Sequence, residues 1–452
     1  GFEMIVKTIQ EITNMMHASV HGDIDDTKKI HGVVIDSRQV TKDVLYVPII
    51  GQRVDGHTFA KQTIEDGALI SLWQKDHLPY PDFPVILVDD TLVAMQKLAK
   101  AYLDELHPLV IGVTGSNGKT SCKDMLYSIF SQEKKTQKTL GNRNSEIGLP
   151  LTIFEFDEDI EVAILEMGME NKGEITQLTS IAQPDISVIT SVGSAHMENL
   201  GGKLQIAQAK CEILEGLKDN GLFVYNYDSK EIQEVLASID TKNKQIVSFG
   251  QCGDVYITSP IEYSKDGIVF SCNILDKPVY LHAFGDFQAM NALPCIYIAK
   301  ACHLKEESIL HGLAHLEMTK MRTQLIPVKN AYILDDTYKS NPESAKAAID
   351  TLMVLPAKKH IAILSDMLDL GSEEKQLHYD VGAYAKEKGV DALYCTGPLS
   401  KETADGFDGD WYETKDEIYE AVQPLLDEDC VILIKGSRAM KMDTLVDAFR
   451  GK

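Results

Sequence analysis

Apolar residues along this chain come in short continuous runs separated by segments of helical length. Runs at 33–35, 45–47 and 85–88 read as strands, and 91–106 carries the spacing of a helix. A second region opens with the buried-type run 109–114, breaks into Gly115-Ser116-Asn117-Gly118, and continues as a helix over 121–130. Further apolar runs follow at 162–165, 186–190 and 222–225. Such runs alternating with helices imply a parallel sheet covered on both faces. The stretch 255–281 instead alternates apolar and polar residues, which predicts antiparallel hairpins at an edge. From about residue 318 the first pattern returns, with runs at 331–334, 360–364, 392–395 and 430–434, and predicts a second doubly wound α/β unit. The expected organisation is therefore α/β with three domains, 1–106, 107–317 and 318–452, and without repeats or a low-complexity linker.

The chain's 452 residues fit that count. Its net charge of −24 argues against nucleic acid or an anionic membrane as partner, because binding by overall charge needs the opposite sign. An acidic protein can still bind phosphate, but only with a local device. No run of about 18 apolar residues predicts a membrane span, and no basic region followed by an apolar core predicts a signal peptide. Met4 reads as a native start, with residues 1–3 set aside. Eight scattered cysteines without a C-x-x-C pair read as reduced thiols of a cytoplasmic protein.

The local device is Thr114-Gly115-Ser116-Asn117-Gly118-Lys119-Thr120, between a strand and a helix. Its glycines let backbone N–H groups close around a polyphosphate, and the helix N-terminus adds positive potential. Lys119 can reach terminal phosphates, and the Thr120 hydroxyl can ligate Mg²⁺. The generic loop has another glycine where Val113 stands, so this is the shorter Gly-x-x-Gly-Lys-Thr form. A plain glycine turn beside a solvated lysine is the competing reading, and the flanking strand and helix speak against it.

Glu166 ends a buried-type strand, where the carboxyl ends of parallel strands line a ligand crevice and a carboxylate can hold Mg²⁺. On the residues alone, the loop residue His196 reads as structural or surface, and Lys210 on its helix reads as a solvated charge. Cys122, at the helix start, reads as a small packing residue despite a position that can lower a thiol pKa.

Several long stretches, in order, resemble the Mur ligases. Val34-Ile35-Asp36-Ser37-Arg38 and Gly51-Gln52-Arg53-Val54-Asp55-Gly56-His57-Thr58-Phe59 are similar to the part of that family that holds a UDP-sugar. Thr114 to Thr120, continued by Lys123-Asp124-Met125, is similar to its ATP loop. Lys138-Thr139 and Gly141-Asn142 through Glu146-Ile147-Gly148-Leu149-Pro150 are similar to a loop that meets ATP and the muramoyl substrate. Asp366-Met367, Leu370-Gly371, His378 and Lys435-Gly436-Ser437-Arg438 are similar to its C-terminal domain. The nearest likeness is to members that add D-alanyl-D-alanine to UDP-N-acetylmuramoyl-tripeptide in peptidoglycan synthesis.

The resemblance implies a central P-loop ATPase domain, a C-terminal Rossmann-like domain, ATP and Mg²⁺ as cofactors, and a monomer. It implies nucleotide contacts from Thr114 to Ser121, Asn291, Arg322 and Asp336. It implies one magnesium on Thr120 and Glu166, and a second on Glu166, His196 and Lys210, with the lysine carbamylated into an anionic oxygen ligand. Substrate contacts are implied for Ser37, Arg38, Asp55, Gly56, His57, Asn142, Arg143, Asn144, Ser145, Tyr338, Lys339, Lys435 and Ser437. The implied chemistry is phosphorylation of a carboxylate, followed by attack of an amine on the acyl-phosphate, with Lys119, Glu166, His196 and Lys210 at its centre.

Three departures from the family pattern stand out. Arg143 and Ser145 replace an aromatic and an amide. Phe287-Gln288 replaces a His-Asn pair ahead of Asn291. Lys339 replaces an amide beside the expected acceptor site. These allow either drift within an ordinary muramoyl ligase or a paralogue with a different amine or acceptor, for which Arg143 and Lys339 would favour an extra substrate carboxylate. Other readings are a nucleotide-binding relative without turnover, a folylpolyglutamate synthase on the same scaffold, and a plain nucleotide hydrolase. The intact loop opposes the first, Asp55-Gly56-His57 the second, and the lack of a marked water-activating base the third.

Overall fold

Leu109–Thr114 is buried at every position after its first, and Val162–Glu166 along its whole length. Strands of this kind can lie only inside a sheet covered on both faces. The computed structural model, which describes residues 4–194, 197–264, 266–318 and 323–452, places them side by side in a six-stranded sheet. From one edge the order is Gln245–Phe249, Leu222–Asn226, Ile186–Ile189, Leu109–Thr114, Val162–Glu166 and Thr136–Lys138, all parallel. The chain enters at Leu109–Thr114, builds one side, then crosses back to build the other. The carboxyl end of that first strand is thus the switch point where a ligand crevice opens.

The C-terminal sheet runs Gln324–Val328, Ala331–Asp336, Cys430–Lys435, Lys359–Leu364, Ala392–Thr396 and Asp410–Tyr412, parallel apart from the first strand. Ile432, Leu433 and Ile434 have no exposed surface, and each such side chain contributes roughly 1.5–3 kcal/mol on burial. Register sets Asp336 opposite Lys435 at the carboxyl ends.

Near the N-terminus, Ser19–His21, Val85–Val88, Ile70–Gln74, Leu45–Tyr46 and Val33–Val34 form a five-stranded sheet, antiparallel only at its first pairing. The apolar core does not break at residue 106. Leu98 and Tyr102, on the helix Thr91–Leu106, belong to one cluster with Leu72 on one side and Leu149, Ile153 and Ile175 on the other. The alternating stretch forms antiparallel strands Glu262–Ser264, Gly267–Phe270 and Val279–Leu281, as expected, but as a separate small sheet. A single bridge from Phe249 to Val255 ties this region to the central edge strand. No described helix is long and apolar enough to cross a membrane.

Candidate active site

Gly118 caps the helix Lys119–Phe130 at φ +89°, a backbone conformation that favours glycine. A Cβ there would also lie 2.3 Å from the Asn291 side-chain oxygen, and one on Gly115 would strike the Thr190 hydroxyl. The loop is held from the segment that follows the neighbouring strand Ile186–Ile189: Ser116 N–H donates to Ser191 O (3.0 Å), Asn117 N–H to Ser191 Oγ (3.0 Å), and Gly193 N–H to Ser116 Oγ (2.9 Å). Its shape is therefore set before any phosphate arrives. Cys122 is buried against Cys295, with the sulfurs 3.4 Å apart, and packs as expected.

Glu166 lies beside the first turn of that helix, and both of its oxygens are engaged. Oε1 accepts from the Thr120 hydroxyl (3.1 Å) and from Asn144 Nδ2 (3.3 Å), while Oε2 lies 3.2 Å from Lys123 Nζ. Lys123 and Glu166 are both buried. Glu166 N–H donates to Thr139 Oγ1 (3.0 Å), and Lys138 pairs with Asp124 at 2.9 Å, so the Lys138-Thr139 strand end braces the same cluster. Thr120 and Glu166 offer hard oxygens within one small niche of about 70 Å³, which also takes in Lys119, Asn144, Tyr338 and Lys339. That donor set suits Mg²⁺.

Lys210 is not the solvated charge that its helix position suggests. It is buried, and among the described residues its ammonium has no hydrogen bond or ion pair. Burial, and then the Lys119 charge, hold it well below the usual lysine range. A neutral buried amine is the form able to take up CO₂ and become an oxygen ligand, so the residue fits the role that the resemblance implies. His196 and Arg322 lie outside the described residues.

A larger cavity of about 400 Å³ joins the phosphate loop to the C-terminal unit. Its walls include Asn117, Gly118 and Asn291 on one side and Asp336, Lys339 and Lys435 on the other. Phe287 and Gln288 line it as well. Gln288 Nε2 donates to Ser121 Oγ (3.3 Å), and Asn291 Nδ2 donates to Gln288 Oε1 (3.1 Å), linking the loop helix to Asp286–Ala301. Sequence reading missed this relay, and also Asn226, Asp228 and Gln251 on the same wall. Lys435 is buried, donates to Asp336 Oδ2 (2.9 Å) and Lys339 O (2.7 Å), and so fixes the strand end. Polar contacts among the described residues tie the units together beside the site, with Lys203 also 3.4 Å from Glu343. The Asn117 and Asn341 amides exchange hydrogen bonds of 3.3 and 2.8 Å, and Ser194 donates to Glu343 from N–H (3.1 Å) and hydroxyl (2.6 Å).

On the other side of Lys119 opens a cavity of about 490 Å³, lined in part by Asn144, Ser145, Glu170 and Gln177. Asn142 O accepts from Asn144 N–H at 2.8 Å, tightening this loop. Arg143 turns outward and pairs with Glu155 at 2.9 Å, so its charge is already matched by the protein. Tyr338 lies under Arg438, and Ser437 Oγ donates to Asp366 O (3.3 Å). His378 is buried and structural. Its Nε2 accepts from Met367 N–H (2.9 Å), and its Nδ1 contacts Glu374 O at 2.6 Å.

The N-terminal residues are less open than their motif suggests. Ser37 and Arg38 form a short turn capped by Asp36, and the exposed Arg38 folds back onto that carboxylate at 2.9 Å. The Gly56 carbonyl accepts from Tyr46 OH at 2.8 Å. His57 has no exposed side-chain surface, contacts Asp55 Oδ1 through Nδ1 (2.7 Å), and accepts Gln74 N–H at Nε2 (3.1 Å). Asp55, His57 and His77 come close enough to suggest a metal site. The Gln74 bond opposes it, because a histidine accepting at Nε2 must keep its proton on Nδ1, where a metal would have to bind. His57 is a support for this region.

Profiles of one family cover these three regions: "Mur ligase family, catalytic domain" over residues 29–103, "Mur ligase middle domain" over 113–299, and "Mur ligase, glutamate ligase domain" over 321–438. The UDP-N-acetylmuramoyl-tripeptide–D-alanyl-D-alanine ligase of Bacillus subtilis (strain 168) is 37% identical over 454 residues, with 98% of each chain covered. The chain belongs to the Mur ligase family. Its fold matches that of MurF from Acinetobacter baumannii at a TM-score of 0.92 and 27% identity, covering 99% of this chain and 100% of that one. MurF ligase from Thermotoga maritima in complex with ADP matches at 0.84 and 26% identity, covering 93% and 97%. The Mur ligase architecture expected from the sequence, with α/β units and parallel sheets, is the one observed.

Proposed function

We propose that this chain joins D-alanyl-D-alanine to UDP-N-acetylmuramoyl-tripeptide through an acyl-phosphate, consuming ATP, in peptidoglycan synthesis. The observation that carries the reading is the crevice itself. The phosphate loop and Glu166 face Asp336, Tyr338 and Lys435 across two adjoining cavities, and a third opens beyond Lys119. The relatives that share this architecture along the whole chain are named for that reaction.

In this reading the nucleotide lies in the cavity between Asn291 and Asp336, with its phosphates over the N–H groups of residues 115–120. Lys119 neutralises the terminal phosphates and holds the substrate carboxylate in line with them. A free carboxylate is a poor acyl donor because its leaving group would be oxide, and phosphorylation supplies a better one. Thr120 and Glu166 would hold one magnesium, and Glu166, His196 and a carbamylated Lys210 a second. Bound there, the metal supplies charge neutralisation on phosphate oxygens. The Asn117–Asn341 and Ser194–Glu343 contacts keep the two halves closed, excluding water that would hydrolyse the intermediate. Asn144 and Ser145 face the muramoyl peptide. Ser37, Arg38 and the loop that Asp55, Gly56 and His57 shape belong to the UDP side. ATP use and free cysteines support a cytoplasmic setting for this reaction.

The test is phosphate release with ATP, Mg²⁺, UDP-muramoyl-tripeptide and D-Ala-D-Ala, omitting each in turn and weighing the product. The expected product is heavier by one dipeptide less water and forms only in the complete mixture. Release without the dipeptide, or product only with another amine, would overturn the assignment.

A further inference from the structure

We propose that Lys339 is a catalytic residue that contacts the β- and γ-phosphates of the nucleotide, supplied from the C-terminal unit; this rests on the function proposed above. The family pattern has an amide at this position, and the sequence alone suggests a partner for a carboxylate on the acceptor. The structure points elsewhere. The large cavity, walled by Asn291 and Phe287, and the small niche, walled by Thr120 and Glu166, have three residues in common: Gly118, Ser121 and Lys339. Two of these belong to the phosphate loop and the start of its helix, and the third faces them from the opposite unit. A nucleotide with its base in the large cavity and its terminal phosphate in the niche has to pass Lys339.

The backbone there is fixed on both sides. The Lys339 carbonyl accepts from the buried Lys435 ammonium at 2.7 Å, and the preceding Tyr338 carbonyl accepts from Arg438 N–H at 3.0 Å. Within the niche the charged lining groups are Lys119 and Lys339 against Glu166, two cations to one carboxylate. In a chain of net charge −24 that is a local inversion of sign.

In the reaction, a substrate carboxylate oxygen forms a bond to the γ-phosphorus while the bond from that phosphorus to the β,γ-bridging oxygen breaks. The electron pair leaves with ADP, and negative charge grows on the bridging and β oxygens. An ammonium at the mouth of the niche donates to those oxygens, and it is withdrawn when the units separate.

The test compares binding of AMPPNP and ADP to Lys339→Gln, Lys339→Asn and Lys339→Arg by calorimetry, with and without Mg²⁺, and then measures kcat and KM. Removing one charge-assisted contact should weaken AMPPNP roughly tenfold. ADP binding should fall less, kcat should fall, and KM for D-Ala-D-Ala should not move. Lys339→Arg should recover most of the AMPPNP affinity. Equal losses for ADP and AMPPNP, or a loss confined to KM for D-Ala-D-Ala, would overturn the proposal. The binding arm needs neither muramoyl substrate nor dipeptide, so its outcome stands apart from the test of the reaction.

Discussion

Lys123 and Glu166 form a buried ion pair in which the carboxylate also stands as the proposed metal ligand, and this makes a quantitative demand on stability. Their atoms lie 3.2 Å apart, with side-chain exposures of 1% and 3%. Lys123→Met keeps the apolar stem but takes away the ammonium, leaving the Thr120 hydroxyl and the Asn144 amide on Glu166 Oε1. Breaking a buried pair by removing one partner costs about 3–5 kcal/mol, because the remaining charge stays desolvated. For a cooperative unit the size of the central region, each kcal/mol moves Tm by roughly 2–4 °C. The variant should therefore melt about 6–20 °C lower in chelator, followed by circular dichroism or calorimetry. With saturating Mg²⁺ and AMPPNP the cation replaces the lost ammonium, and the gap between variant and wild type should shrink by at least half. A deficit that is the same with and without Mg²⁺-nucleotide would refute the idea that lysine and metal serve the same carboxylate. A deficit under about 1 kcal/mol would show that the pair is not desolvated as its burial implies.

Burial, aided by the Asp336 charge and only partly offset by Thr337, pushes Asp335 up to about 6 from 3.8. A carboxyl raised on folding contributes stability that is complete below about pH 3.8 and lost as pH rises through 6. Asp335→Asn should thus stabilise the protein at pH 7 by up to about 3 kcal/mol relative to its effect at pH 4, in urea unfolding; equal effects at the two pH values would contradict this. His57→Phe removes the acceptor of Gln74 N–H and a contact of Asp55. The expectation is a loss of about 1–3 kcal/mol in thermal unfolding with nucleotide affinity unchanged, and a variant as stable as wild type would show the histidine to be dispensable to the fold. Gln288→Leu cuts the relay between Ser121 and Asn291. At about 1 kcal/mol per hydrogen bond, KM for ATP should rise roughly fivefold and discrimination against GTP should weaken; an unaltered ATP-to-GTP preference would leave Asn291 independent of Gln288.

What could be read from the sequence follows from how far apart the cooperating residues lie. The phosphate loop is contiguous and bounded by a strand and a helix, so its identity and the likeness to Mur ligases were legible at once. Glu166 was legible because the end of a buried strand has few places to be. Lys210 was not: nothing in Ala207-Gln208-Ala209-Lys210 distinguishes a buried lysine from a solvated one, and only the family likeness singled it out. Lys123 left a signal that went unused. It sits three residues before the buried Leu126 and seven before the buried Phe130, so helical periodicity already turned its charge inward. The relay from Ser121 to Gln288 spans 167 positions and could come only from the fold. Arg143 shows the opposite case. A cation in a substrate loop suggested a substrate carboxylate, and the protein meets that charge itself with Glu155.

The site is assembled from two halves; Phe284 packs into the C-terminal core, and the described contacts at the centre of the site are polar. Asn117 lies in the phosphate loop, and its side chain spends both hydrogen-bonding groups on Asn341, the N-cap of the helix Pro342–Val354. The first turn of that helix brings Glu343 to Ser194. Burial alone would raise this carboxyl, but the Ser194 hydroxyl and N–H, with Lys203, hold it below its usual range and keep it ionised. One short helix start on the C-terminal side is thus fastened both to the loop that grips phosphate and to the segment leading toward His196. An amide pair and a charge-assisted bond can be exchanged for water at modest net cost, unlike the continuous apolar core that binds the N-terminal and central sheets. The physical asymmetry argues that the C-terminal unit is the moving part. Nucleotide phosphates lying between Lys119 and Lys339 would then add to closure just when the acyl-phosphate must be kept from water.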